Sequence, residues 1–155
     1  MPAESGQIHW NGVPIQQMRD AFHQNMCYLG HQNALQESAT VQENVRFLVA
    51  LKGLAVDDAT FQLSLNQYGL EKSAKRLVRH LSQGQKRRVV LSQLALSQAT
   101  LWVLDEPFVS LDDAGQALLT ASIAAHLRRG GMVILTSHQA LALGGVVPHV
   151  LDLST

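Results

Sequence analysis

The sequence predicts an α/β protein in which helices cover both faces of a parallel sheet. Two runs, "TLWVL" at 100–104 and "MVILT" at 132–136, are continuously apolar. Strands without alternating apolar and polar residues are typical of parallel sheets that are buried on both faces. Segments with helical apolar spacing separate these runs. The 155 residues, 46% of them hydrophobic and 15% charged, are enough for one globular domain with a sizeable core.

The first part of the chain predicts a hairpin and then a strand. Asn11-Gly12 stands between two short extended runs, and this pair favours a tight turn with positive φ. The run "MCYLGHQ" is a short apolar strand that leads into polar residues at Gly30, His31 and Gln32. We therefore expect this strand to bring Gln32 to one end of the sheet.

Capping residues mark the starts of three helices. Thr40 with Glu43, and Ser82 with Gln85, match the capping box, in which each partner satisfies an amide of the other. Asp57 is a further N-cap ahead of an apolar helical pattern. These signals predict helices on both sides of residue 70, before the first of the two apolar runs.

The last third of the chain predicts a helix, a strand and two short closing elements. The helix begins at Asp112 or Asp113 and ends at the arginines and glycines of 128–131, which favour a helix C-terminus. After the second apolar run we expect a short helix at 140–143 and a last strand at 149–153.

The middle of the chain contains only helical patterns, which favours a small subdomain beside the sheet. We expect about 1–39 and 97–155 to form the sheet core, and about 40–96 to form the helical subdomain with the helix after Ser82. The sequence shows no internal repeat, low-complexity tract or linker that would divide it further.

Charge and composition exclude several kinds of protein. Lys+Arg and Asp+Glu both number 12, so the formal net charge is zero. This balance argues against a nucleic-acid binder, whose affinity comes largely from phosphate neutralisation. A single cysteine, Cys27, excludes an internal disulfide and fits a reducing compartment. No apolar run approaches the roughly 20 residues that span a bilayer.

Polar residues follow three of the predicted strands. Gln32, the pair Asp105-Glu106, and His138 each come after an apolar run, and ligands bind at the carboxyl ends of strands in open parallel sheets. Adjacent acids could serve a metal and a water, because successive strand residues point opposite ways. Asp105 could equally cap a turn before Pro107. His138 alone would also fit an ordinary hydrogen-bonded histidine.

The stretch "LSQGQKRR" at 81–88 also has two interpretations. A helix N-terminus offers amide groups and a partial positive charge to an anion, and Gly84 lets an oxygen come close. A plain capping box of Ser82 and Gln85 fits the same residues. We expect the cations at 86–88 to form a solvated face, since the chain as a whole is neutral.

Five motifs in a fixed order make the sequence resemble the ATP-binding subunit of an ABC transporter over essentially its whole length. "YLGHQ" is similar to that family's Q-loop, "LSQGQ" to its signature motif and "LWVLDEP" to its Walker B strand. "SLD" is similar to its D-loop, and "TSHQ" to the segment of its switch histidine. The resemblance implies a P-loop NTPase-type parallel sheet with a helical subdomain, and ATP and Mg²⁺ as cofactors. It also implies a homodimer, because the family's site is shared between two subunits.

The same resemblance implies roles for residues at the strand ends. Asp105 would hold Mg²⁺ through water, and Glu106 would polarise the attacking water. His138 would contact the γ-phosphate, while Gln32 would touch the metal and sense the membrane partner. Asp112, in the D-loop, would belong to the same nucleotide site.

For the stretch at 81–88, the resemblance implies that both interpretations hold together. Ser82, Gly84 and Gln85 would bind the γ-phosphate of ATP held by the opposite subunit. The start of the helix would then itself be the binding device.

Longer stretches narrow the resemblance to the haem-exporter ATP-binding proteins of bacterial cytochrome c maturation. These stretches are "HQNMCYLGHQ", "LSQGQKRRVVLSQLAL", "LWVLDEPF" and "GGMVILTSHQ". This resemblance implies that two ATPase subunits act with integral-membrane permease subunits at the cytoplasmic face of the bacterial inner membrane. ATP hydrolysis would there drive haem transport or its delivery to a periplasmic chaperone.

One element of a nucleotide site does not occur in the sequence. The pattern GxxxxGK[ST], whose amides wrap phosphates and whose lysine neutralises them, is absent from the 155 residues. In the family this Walker A loop precedes the segment that matches "PAESGQI", so we expect a truncated gene model and no ATP turnover by the chain as written. Two other functions stay open: a non-catalytic module that docks on a membrane partner, and a soluble ABC ATPase of DNA repair or translation.

Overall fold

The computed structural model describes residues 6–137 and 147–151. Five strands and five α-helices lie within these ranges. In chain order they are β1 (His9–Trp10), β2 (Val13–Pro14), α1 (Arg19–Gln24), β3 (Met26–Leu29), α2 (Val41–Ala50), α3 (Asp58–Gln67), α4 (Gln83–Leu96), β4 (Leu101–Leu104), α5 (Asp113–Arg128) and β5 (Met132–Leu135). Short 3-10 turns occur at Ile15–Gln17, Glu71–Ser73 and Val78–His80.

Strands β1 and β2 form the predicted hairpin. They pair antiparallel, and the turn residues Asn11 and Gly12 have φ of 50° and 80°. Both angles lie in the left-handed region that a tight hairpin turn requires and that Asn-Gly tolerates best. The hairpin is held against α1 by an edge-to-face contact between Trp10 and Phe22.

Strands β3, β4 and β5 form a parallel sheet in that order. Leu29, Leu104 and Leu135 lie level with one another at the strand ends. Pairing continues one step further, because the Asp105 amide donates to the Leu29 carbonyl (2.8 Å) and the Thr136 amide to the Leu104 carbonyl (3.0 Å). The three carboxyl ends therefore meet at one edge, as the sequence predicts.

Helices α4 and α5 contact the sheet on one face, where Trp102 and Leu104 are each 1% exposed. On the opposite face Tyr28 is 55% exposed and Ile134 is 59% exposed. The predicted α/β fold with a parallel sheet and helices is confirmed. Within the described residues, part of the second face is exposed, and the apolar run of β5 is not buried on both sides.

Local capping signals set the starts of the helices beside the sheet. Thr40 and Glu43 form a capping box at α2, and the Asp57 side chain accepts from the Thr60 amide at α3. Both predicted starts are confirmed. Helices α2 and α3 then pack against α4.

One cluster of buried side chains joins the sheet to these helices. It runs from Trp102 of β4 through α4 to Phe61 of α3. The division into a sheet core at 1–39 and 97–155 and a helical subdomain at 40–96 stays a prediction. If it holds, the two parts share this core.

The end of the chain differs from the prediction where it is described. Residues 149–151 lie outside any strand, and Val150 and Leu151 are 86% and 82% exposed, so their apolar side chains have no sheet to join. The predicted strand is wrong at these positions. His138 and the predicted helix at 140–143 lie outside the described residues. In the described part, no helix is long and apolar enough to cross a membrane.

Candidate functional site

The first half of the candidate site is the edge where β4 and β5 end. The Thr136 hydroxyl donates to Asp105 Oδ1 at 2.7 Å and accepts from the Glu106 amide at 2.9 Å. One hydroxyl therefore links β5 to both acids that follow β4. Thr136 was not predicted as a site residue, although the parallel register places it directly beside Asp105.

Glu106 is held in an unusual conformation next to the end of β3. Its φ of 44° lies in the left-handed region. A non-glycine residue keeps this strained conformation only where surrounding contacts hold it. Its Oε2 lies 3.4 Å from His31 Nδ1. Since Gln32 is the next residue after His31, the structure brings the segment of Gln32 to the acids. The side-chain contact itself comes from His31, which was not predicted.

The second half of the candidate site is the N-terminus of α4. Ser82 and Gln85 form the predicted capping box: the Ser82 amide donates to Gln85 Oε1 (3.1 Å), and the Gln85 amide donates to Ser82 Oγ (3.2 Å). The amides of Gln83 and Gly84 lie in the first turn, where the helix itself offers no acceptor. This end of α4 therefore keeps the partial positive charge that favours an anion.

Gly84 is required by the packing of this turn. A Cβ atom at this position would lie 2.8 Å from the carbonyl oxygen of Ser110. Ser110 itself has a left-handed φ of 66°. The oxygen that comes close to Gly84 in the structure is thus one from the D-loop of the same chain.

Two of the three cations at 86–88 pair with loops on either side of α4. Lys86 Nζ lies 2.5 Å from Glu37 Oε1, and Arg88 forms an ion pair with Asp112. Hydrogen bonds from Arg88, and then from the Gly115 amide that Asp112 caps, hold the pKa of the Asp112 carboxyl below its usual range. Asp112 therefore has a defined structural role as the N-cap of α5.

The expected solvated face at 86–88 is wrong for Arg87. This residue is 3% exposed, and its guanidinium donates to backbone carbonyls that follow both β3 and β4. Arg87 stands between two other cations in the sequence, and no local pattern distinguishes it from them. What distinguishes it is that its side of α4 faces the ends of the strands.

A cleft of about 420 Å³ lies where these segments meet. Its lining includes Gln32, Gln83, Arg87 and Ser110, from the Q-loop, the start of α4 and the D-loop. Among the described residues, no group of three or more His, Cys, Asp or Glu side chains could hold a metal. Asp105 with neutral oxygens suits Mg²⁺, which keeps several waters and needs only one or two carboxylates from the protein. The residues present therefore fit Mg²⁺ bound mainly through water.

Comparison with known protein families identifies this arrangement. A family model described as "ABC transporter" matches residues 1–109. The chain belongs to the ABC transporter family. The segments predicted as Q-loop, signature motif, Walker B strand and D-loop lie in the described structure, and His138, the predicted switch histidine, lies outside it.

One similar protein indicates which branch of the ABC transporter family the chain resembles. The chain is 57% identical over 152 residues to the "Cytochrome c biogenesis ATP-binding export protein CcmA" of Albidiferax ferrireducens, covering 98% of this chain and 72% of that protein. The resemblance to ATP-binding proteins of cytochrome c maturation is confirmed.

Solved ABC structures agree with the fold. An ATP-binding protein of a putative ABC transporter from Pyrococcus furiosus matches with a TM-score of 0.75 at 28% identity, over 90% of this chain and 67% of that one. The ATP-binding cassette MJ0796, solved as a dimer bound to ADP and Pi, matches with a TM-score of 0.72 at 19% identity, over 88% of this chain and 64% of that one. The second likeness shows the fold alone.

Proposed function

We propose that this chain supplies the hydrolytic and signature parts of an ATPase that energises haem export in cytochrome c biogenesis. The observation that carries the proposal is the contact of His31 Nδ1 with Glu106 Oε2 at 3.4 Å. It joins the end of β3 to the acids after β4, and Arg87 joins both to the signature helix. Motifs that lie far apart in sequence thereby line one site.

Each residue of this site has a role in phosphoryl transfer to water. Glu106, as the general base, would accept a proton from the attacking water. Asp105, held by Thr136, would bind Mg²⁺ through water, and Gln32 would contact the same ion. The metal, when bound, would neutralise charge that develops on the phosphate oxygens. His138 would contact the γ-phosphate.

The start of α4 would act on ATP held by a second copy of the protein. Ser82, Gly84 and Gln85 would meet the γ-phosphate of that nucleotide, with the first-turn amides as donors. Asp112 would support this contact indirectly, since it pairs with Arg88 of the same helix. The functional unit is therefore a homodimer in this proposal.

The similarity to the Albidiferax ferrireducens protein supports the biological assignment. A protein 57% identical over 98% of this chain is described as an ATP-binding export protein of cytochrome c biogenesis. We assign to this chain the same process, integral-membrane permease partners, and a position at the cytoplasmic face of the bacterial inner membrane. A second candidate function is a non-catalytic module that docks on a membrane partner.

A hybrid chain separates the two candidates. In it, residues 1–155 replace the matching segment of the Albidiferax ferrireducens relative, which supplies the remainder of its own sequence. The hybrid should hydrolyse ATP and restore haem-stained c-type cytochromes in a strain that lacks the relative. Restored hydrolysis without c-type cytochromes would reject the haem-export assignment alone. A folded hybrid without hydrolysis would favour the docking module.

A further inference from the structure

Arg87 connects the ends of two strands through the two branches of its guanidinium. It lies in the second turn of α4 and is 3% exposed. Its Nη1 donates to the carbonyls of Gly30 (3.0 Å) and His31 (3.3 Å), beyond β3. Its Nη2 donates to the carbonyls of Asp105 and Glu106, both at 3.0 Å, beyond β4.

Two longer contacts complete the set. Nη1 also reaches Asn33 Oδ1 at 3.4 Å, and Nε reaches the Pro107 carbonyl at 3.4 Å. All of these acceptors are neutral oxygens. The guanidinium therefore contacts the backbone before Gln32, the side chain of Asn33 after it, and the backbone of both acids, from one buried position.

A cation in this position is costly for folding. Burial lowers the pKa of Arg87, and the nearby charges of Asp105 and Glu106 oppose that shift. A buried charge without a directly bonded carboxylate loses most of its hydration. A protein with an apolar side chain of similar volume at such a position is often at least as stable. Stability alone therefore gives a weak reason for an arginine here.

We propose that Arg87 is a positioning residue for ATP hydrolysis, which fixes the Gln32 segment and Glu106 relative to each other and to the signature helix. This inference rests on the proposed function. Lysine could not replace it, because a single ammonium is a point charge, whereas the planar guanidinium directs two nitrogens to two strand ends at once. A small displacement of reacting groups lowers hydrolysis more than nucleotide binding.

The test compares Arg87→Lys with Arg46→Lys in the hybrid chain. Arg46 is a matched control, because its side chain is 50% exposed and pairs with Asp58 away from the site. We expect Arg87→Lys to lower kcat by about 10- to 100-fold, with KM for ATP changed by less than about 3-fold. Arg46→Lys should leave both constants unchanged. Unchanged kcat in Arg87→Lys would overturn the inference.

A double-mutant cycle distinguishes positioning from a general loss of structure. If Arg87 acts through Glu106, Arg87→Lys should lower turnover very little further once Glu106→Gln is present. Additive losses in the double variant would contradict a role through Glu106 and indicate a general structural effect.

Amide hydrogen exchange supplies a readout that does not depend on hydrolysis. In Arg87→Lys, amide exchange should speed up at 30–33 and at 105–106 and stay unchanged in α3. Arg46→Lys should leave exchange at both strand ends unaltered. Faster exchange in a hybrid that hydrolyses no ATP would reject the proposed function while supporting the positioning contact. Unchanged exchange at both strand ends would overturn the contact.

Discussion

The hydroxyl of Thr136 donates a 2.7 Å hydrogen bond to the carboxylate of Asp105. The same oxygen accepts from the Glu106 amide at 2.9 Å. Because Thr136 follows β5 and both acids follow β4, this hydroxyl links the two strand ends at Asp105 and Glu106. Its removal should therefore affect both stability and turnover.

Thr136→Val in the hybrid chain should lower the free energy of unfolding by about 1 kcal/mol, because valine keeps the shape and loses both hydrogen bonds. Turnover should fall as well, since Asp105 loses a donor that orients it. Thr136→Ser keeps the hydroxyl and is the matched control. Urea unfolding and ATP hydrolysis check the pair; equal stability of the two variants would contradict this account of Thr136.

Gly84→Ala should destabilise the hybrid by up to about 2 kcal/mol, the overpacking cost less the gain in helix propensity. Alanine favours a helix over glycine by about 1 kcal/mol, but its Cβ would lie 2.8 Å from the Ser110 carbonyl, and a backbone oxygen cannot rotate away. Overpacking of this kind costs roughly 1–3 kcal/mol, and the left-handed Ser110 leaves little room to adjust.

Gln83→Ala is the control for Gly84→Ala, since Gln83 is the exposed neighbour in the same turn. Thermal unfolding should show a lower Tm for Gly84→Ala alone. A Tm equal to or above that of the parent would show that the D-loop moves freely away from α4, against the close contact described above.

The stability of the protein should fall as pH drops below about 6.5 partly because of His126. This side chain stacks on Trp102 with ring centroids 3.9 Å apart. Burial lowers the pKa of His126, hydrogen bonding of the ring to the backbone of Thr100 and Met132 opposes the shift, and the charge of Arg129 adds to it. The unfolded chain therefore binds this proton more readily, so the penalty is absent above the unfolded pKa and grows as pH falls through it.

His126→Gln should remove this component of the pH dependence, whatever its effect at neutral pH. Urea midpoints at pH 7.5 and 5.5 should differ less in His126→Gln than in the parent hybrid. His9→Gln, at an exposed position of the hairpin, is the control and should keep the parental difference. Identical differences in all three proteins would contradict the assignment to His126.

Residues 1–155 on their own should neither bind nor hydrolyse ATP measurably. The sequence contains no GxxxxGK[ST] pattern, so the phosphates would meet the acids and the start of α4 without a lysine to neutralise them. Isothermal titration calorimetry with ATP and Mg²⁺ checks this. Saturable binding in the millimolar range would show that the residues described here hold the nucleotide without that loop.

Local chemistry made much of the fold predictable. The capping residues Thr40, Asp57 and Ser82 act within a few residues of their own position, and each starts a helix as expected. The order of strand ends likewise predicted that Asp105 and the Gln32 segment would meet, because parallel strands share one carboxyl edge.

Features that depend on distant partners could not be predicted in this way. Arg87 looks like its neighbours Lys86 and Arg88 in sequence, and only the position of α4 over two strand ends makes it buried. Thr136 matters because of the register between β4 and β5. The exposure of Tyr28 on the second face of the sheet depends equally on what packs there, which no local pattern specifies.

The most direct test of the shared nucleotide site is Glu106→Gln in the hybrid chain, with ATP turnover, ATP affinity and dimerisation measured together. We expect turnover to fall by roughly 10²–10⁴, the span for loss of a positioned base, with ATP affinity retained and an ATP-dependent dimer that persists during gel filtration. Turnover within a few-fold of the parent would contradict the account. Loss of ATP binding would contradict it as well, because Glu106 would then be a structural residue.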